Sequence, residues 1–154
     1  MRLPALLLCT TLMSACTHTP VRTESDVQEV KSTADAFHRR TRWKDFQSAS
    51  SLIVPERRAA FLAARDAQRD ERDLSISDYE LLEMRVEADG SRAEVVSRIS
   101  WFRMPNLSEH SDTVITELVP VGTTWLIARQ SRGPFTPEMQ DPYVPTEPAS
   151  PPVP

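Results

Sequence analysis

What is scarce in this 154-residue chain narrows its function before any motif is sought. With three glycines, no glycine-rich loop of the kind that cradles phosphate can be assembled. The three histidines, His18, His38 and His110, stand far apart and offer no pair at metal-ligand spacing. No Gly-x-Ser-x-Gly elbow is present. The two cysteines, Cys9 and Cys16, both fall at the start, leaving the body of the chain without a disulfide, thiolate ligand or thiol nucleophile. Strongly basic stretches are missing and the formal net charge is -4, which argues against nucleic acid as a partner. Two lysines accompany sixteen arginines, the mark of GC-rich coding rather than of a function. No cofactor and no metal are expected.

What is present begins with Met1 to Cys16, MRLPALLLCTTLMSAC. One positive charge, a short apolar run around Ala5 to Leu8, and small residues before a cysteine have the layout of a secretory signal peptide. The run is too short for a bilayer-crossing helix, which needs about 20 apolar residues. Leu12-Met13-Ser14-Ala15-Cys16 resembles the lipobox of bacterial lipoproteins, with Met13 where leucine is commonest. The resemblance implies cleavage between Ala15 and Cys16, acylation of Cys16 (palmitate being a usual chain), and a membrane attachment made durable by several acyl chains. Thr17, rather than aspartate, implies the outer membrane, with the domain facing the periplasm of the cell envelope.

Taken in order, residues 1–15 form the signal, 16–24 a polar tether with Pro20, 25–132 a folded domain and 133–154 a Pro-rich tail. After a cap at Ser25 or Asp26, Val27, Val30, Ala34 and Phe37 recur at three-and-four spacing, which predicts a one-sided helix. Arg39, Arg40, Arg42 and Lys44 at its end suit the negative pole of the helix dipole; contact with anionic lipid head groups or glycan is their other use. From Asp45, a second short helix carries Phe46, Ala49, Leu52 and Ile53, with Trp43 in the same pattern. Pro55 opens a third, Glu56 to about Arg69, with Ala60, Phe61, Ala64 and Ala67 turned inward. The alternating charges from Arg65 to Asp73 read as a solvated face.

From Leu74 the period changes to two. Leu82, Met84 and Val86 share one face of a first strand, and Asp89-Gly90 is a hairpin signal. Ala93, Val95, Ile99 and Trp101 line one side of the second strand, with Val96 and Phe102 on the other. Pro105 to Ser108 reads as a loop, Asp112 to Val121 as a third strand, Gly122 as a turn and Thr123 to Gln130 as a fourth strand. Eight of the thirteen prolines fall in Pro134 to Pro154, and Pro142, Pro145, Pro148, Pro151 and Pro154 recur every third residue. In a polyproline II helix these five line one edge. Such a composition builds no core, so the tail is expected to be disordered and to serve as a spacer or as a ligand for an aromatic-lined groove of an envelope protein.

Helices followed by an antiparallel meander predict an α+β fold with N-terminal helices on one sheet face. Element order and hydrophobic spacing over roughly Asp26 to Arg132 resemble the NTF2-like (cystatin-like) superfamily, which implies a curved four-stranded antiparallel sheet. Members of that superfamily often enclose a pocket, and some are isomerases or dehydratases with an acidic residue, a tyrosine or a histidine inside. On that basis Asp78, Tyr79, Trp101 and Trp125 are candidates for a pocket, with His38 and Asp45 further acid–base candidates. Asp78 and Tyr79 are neighbours on a strand and point to opposite faces. Trp43, Trp101 and Trp125 are otherwise large core pieces, each able to bury about 150–250 Å². The expected function is a lipid-anchored, non-enzymatic binding or assembly module of the periplasm. The alternative is a pocket protein that binds a small apolar ligand or performs acid–base chemistry on it.

Overall fold

The computed structural model describes residues 24–135 and 138–139. Cleavage at Ala15, lipidation of Cys16 and the proline repeat from Pro142 onward therefore fall on residues outside those described.

The apolar stripe of the first segment folds as helix α1, Glu24–Arg42. Val30, Ala34 and Phe37 are wholly buried on its inner side, and Thr33, His38 and Thr41 complete that face. Glu24 and Asp26 sit in the first turn and Arg39, Arg40 and Arg42 in the last, as the helix dipole favours. The helix ends where the amide of Lys44 bonds the Thr41 carbonyl and that of Asp45 the Arg40 carbonyl. These two bonds require a left-handed residue between them, and Lys44 supplies it with φ 61. This turn carries Trp43 outward: it is 78% exposed rather than part of the core. Helix α2, Phe46–Ser50, follows with Asp45 as its cap, the carboxylate accepting from the Ser48 amide at 3.1 Å.

Helix α3, Pro55–Ala67, starts on its proline. Its inner side is Phe61 and Arg65, with Leu62 half-buried, while Ala60 and Ala67 are exposed. The expectation that the alanines face inward fails because the bulky Phe61 orients the helix, and Arg65, four residues on, shares its face. Arg69, left-handed at φ 53, leads into the single turn of α4, Asp70–Asp73.

The sheet is a meander of β1 (Leu74–Val86), β2 (Ala93–Arg103), β3 (Asn106–Val121) and β4 (Thr124–Ser131), antiparallel in that order. The expected alternation of β2 holds, with Ala93, Val95, Ser97 and Ile99 buried along one face. In β1 a bulge between Leu81 and Glu83 breaks the alternation, so Leu82 is exposed while Val86 is buried. The loop expected over Pro105 to Ser108 is a tighter reversal, and β3 already pairs at Asn106 with Arg103.

α1 packs on β1, β2 and β4. Residues 52–54 lie beside β4, where the Ile127 amide donates to Leu52 and the Val54 amide to Ile127, which covers that edge. Between helices and sheet, Phe37, Ile53, Phe61, Ile99, Leu118 and Ile127 are each wholly buried. Side chains of this size contribute about 1.5–3 kcal/mol apiece on full burial. Phe135 and Met139, expected in the tail, also belong to this core: Phe135 meets the rings of Phe37 and Phe61 edge-on at 5.7 Å. The Gln130 amide bonds the Met139 carbonyl at 2.8 Å, which ties that residue to β4.

Candidate functional site

Two polar groups inside the fold have the makings of a site. The first lies where α1 crosses the sheet. His38, 1% exposed, faces β2, and its Nε2 shares a hydrogen bond with the buried Ser97 hydroxyl at 3.1 Å. The Tyr79 ring from β1 lies against the imidazole at 5.3 Å, and its hydroxyl donates to Asp35 on α1 at 3.0 Å. Asp35 in turn accepts from Arg39, one turn on, at 2.9 Å. Burial pushes His38 down to about 4, against the opposing pull of the Asp35 carboxylate. Burial and the bond to Asp35 push the Tyr79 hydroxyl up. At neutral pH the imidazole is therefore uncharged and the phenol intact. Histidine, tyrosine and aspartate are the residue types of acid–base catalysis, but a base must come within about 3 Å of the proton that it takes. Here the imidazole is packed against Phe37, Tyr79 and Ser97, with almost none of its surface exposed.

The pocket candidates do not converge. Asp78 is an exposed side chain 3.6 Å from Arg42, while Tyr79 faces α1, so the two part as a strand requires. Trp101 is half-buried toward the β2–β3 reversal, its indole N–H on Asp112 at 2.8 Å and its ring stacked on His110 at 4.5 Å. Trp125 is 4% exposed near the β3–β4 turn, with its amide on Glu29 at 3.1 Å. Asp45 is occupied as the α2 cap. Four of the clefts among the described residues have volumes of about 190 to 460 Å³; Trp125 lines one of these four, and His38, Asp78, Tyr79 and Trp101 line none of them.

The second polar group replaces the expected solvated face. Arg65 and Asp70, 3% and 0% exposed, form a buried ion pair at 2.8 Å. Arg103 at the end of β2 also holds Asp70, and Glu138 holds Arg65. The Arg65 guanidinium lies over the rings of Phe61 and Phe135 at 5.1 and 4.8 Å. Burial raises the Glu138 carboxyl above its ordinary value, opposed by the charge of Arg65. The run from Arg65 to Asp73 conceals this group because two of its charges are completed by residues more than thirty positions away. A signal was there: Arg65 stands four residues after Phe61, on the apolar stripe.

Arg65 also lines the largest of these clefts, about 460 Å³, within the range of small-ligand sites. Phe46 and Leu62 give it an apolar wall, and Gln47, Arg69 and Arg72 a polar one, with Asp66 and Glu71 also present. Arg72 is engaged by Asp73 through both oxygens, at 2.6 and 2.7 Å. Lys44 reaches the Glu71 carbonyl at 2.8 Å and so ties the α1–α2 turn to α4. Of the two left-handed non-glycine residues among the described helices, Arg69 lines this opening, and Lys44 is bonded to Glu71, which also lines it. No group of three or more metal-binding side chains occurs among the described residues.

The class that this geometry defines is an α+β domain with helices packed on a four-stranded antiparallel sheet. The chain is similar in fold to the solution structure of a SEC-C motif containing protein from Rhodopseudomonas palustris, with a TM-score of 0.54 at 18% identity. The likeness covers 66% of this chain and 77% of that one, and at such identity it speaks to the fold alone. No protein-family model matches the chain, and no curated protein matches it.

Proposed function

We propose that this chain is a lipid-anchored protein of the bacterial cell envelope, attached through Cys16 to the outer membrane, whose NTF2-like domain is a non-enzymatic binding or assembly module in the periplasm. The anchor rests on Leu12 to Cys16 and the short apolar run before them. The NTF2-like reading, with its curved sheet, is supported by α1 touching both edge strands, through Tyr79 on β1 and Trp125 on β4.

The observation that carries the binding reading is the filled interior. Where a pocket enzyme of this architecture needs an open cone, Phe37, Ile99, Leu118 and Ile127 are wholly buried, and the buried His38 imidazole is neutral and bonded to Ser97. Recognition then falls to outward surfaces, and the cleft beside Arg65 is the largest of those described above. The alternative, a pocket protein acting on a small apolar ligand, draws only on the residue types around His38.

Site-specific photo-cross-linking in cells tests the reading, with the probe at Gln47 in the cleft and, as reference, at Arg98 on the exposed face of β2. A defined intermolecular adduct from position 47 and none from 98 is the expected result. Adducts from neither position, or only from 98, overturn the assignment of recognition to the cleft.

A further inference from the structure

Arg65 holds a ring and a carboxylate that both come from beyond β4, those of Phe135 and Glu138. We propose that this place is a binding site for an aromatic carboxylic acid, and that Phe135 and Glu138 occupy it in the free protein as an internal stand-in that such an acid displaces. The inference goes beyond recognition at the mouth of the cleft and does not depend on the membrane anchor.

Three observations carry it. The first is what the site selects. The Phe135 ring lies edge-on to Phe37 and Phe61 at 5.7 Å, and the Arg65 guanidinium lies over it at 4.8 Å. Glu138 is bound by Nη2 of the same guanidinium. A cation that takes a ring on its face and a carboxylate on its edge favours a molecule that carries both. The second is the imperfect fit of the stand-in. Nε and Nη2 of an arginine form a side-on fork that a carboxylate can occupy with two parallel bonds. Glu138 supplies one of them through Oε1, while Arg65 Nε and Glu138 Oε2 are both buried with no hydrogen-bond partner among the described residues. Leaving such groups unpaired is costly. Nη1 is taken by Asp70 and the Pro134 carbonyl, so the fork is the half of the guanidinium with a bond still to gain. A carboxylate that is not tied to Met139 through the chain can turn and close both bonds. The third is the attachment of the stand-in. Arg132 and Gly133, just before it, are left-handed in succession with φ 63 and 76, and Arg132 lacks a glycine's freedom to be so. Arg65 also lines the cleft of about 460 Å³, the side from which a ligand reaches the guanidinium.

Hydrogen exchange in the full-length wild type reads the displacement at one amide. The Gln130 N–H donates to the Met139 carbonyl, whereas the Ile127 N–H on the same strand donates to Leu52. Hydrocinnamate is the probe, with benzyl alcohol as a ring without a carboxylate and propionate as a carboxylate without a ring. Hydrocinnamate is expected to speed exchange at Gln130 about tenfold or more and to leave Ile127 unchanged, while neither control has this effect. No change at Gln130, or the same acceleration by either control, overturns the proposal. Equal changes at the two amides, in either direction, also overturn it, because they report the stability of the whole domain. A second arm removes the stand-in. The variant with Phe135→Ala and Glu138→Ala should bind hydrocinnamate about tenfold more tightly than the wild type in an NMR titration, since the acid no longer competes with the chain. Equal affinity overturns the competition. Where the double variant fails to fold, the exchange measurement on the wild type decides.

Discussion

His38 makes the domain sensitive to mild acid, and the size of the effect follows from its burial. In the unfolded chain the imidazole has its ordinary value of 6.5, whereas in the fold it is lowered to about 4. Above 6.5 both states are neutral at this residue and it carries no pH dependence. Between 6.5 and about 4 the unfolded chain takes up a proton that the native state refuses, so stability falls as pH falls. Below about 4 the native imidazole is protonated too and the slope from this group ends. The whole interval corresponds to roughly 3 kcal/mol, of which roughly 2 kcal/mol is lost between pH 7 and pH 5. Other carboxyls titrate in acid, so the measurement is a difference: urea unfolding of wild type and His38→Gln at pH 7, 6 and 5. Glutamine keeps a polar group for Ser97 but does not titrate. The stability advantage of the wild type should shrink by roughly 2 kcal/mol over that range. An advantage that stays constant refutes the account, because it means that His38 is solvated enough to titrate alike in both states.

Other positions give separate checks. Asp70→Ala leaves Arg65 buried without its carboxylate and is expected to cost about 3–5 kcal/mol in chemical unfolding; a loss below about 1 kcal/mol, as for an exposed pair, would mean that the cluster is open to water. Trp43→Ala should change stability by no more than about 0.5 kcal/mol, since a surface side chain away from packed groups contributes little, and a thermal melt decides it. Gly133 has φ 76, and a Cβ there would lie 2.9 Å from Val114 Cγ2, so Gly133→Ala combines left-handed strain with a clash. It should destabilise by about 1–2 kcal/mol or more; an unchanged melting temperature would show that the backbone moves freely at this turn.

Much of the architecture was legible because it is local. The three-and-four spacing of Val27, Val30, Ala34 and Phe37 is enough to specify α1, and the alternation of Ala93, Val95 and Ile99 is enough for β2. The misreadings occur where a distant contact or a single turn decides the outcome. Trp43 fits a helical pattern by spacing, yet the left-handed Lys44 redirects the chain and exposes it. Leu82 fits an alternating strand until the bulge beside it shifts the register. Phe135 stands among Gly133, Pro134 and Pro137, a composition that looks coreless, but it packs against two phenylalanines contributed by α1 and α3. The candidate site was the least legible part. Arg65 and Asp70 sit in a run of alternating charge whose usual fate is solvation. Only Arg103 and Glu138, from the far side of the sequence, make their burial tolerable. His38 is an acid–base candidate by residue type alone, but its partners Ser97 and Tyr79 come from two strands that no local pattern connects to it.

The anchor at Cys16 is the central claim of the proposed function, and the intact mass of the protein extracted from membranes tests it most directly. The wild type should have the mass of a chain starting at Cys16 plus its acyl groups, and Cys16→Ser should lose them and leave the membrane fraction. A mature chain that starts elsewhere and carries no lipid would contradict the account.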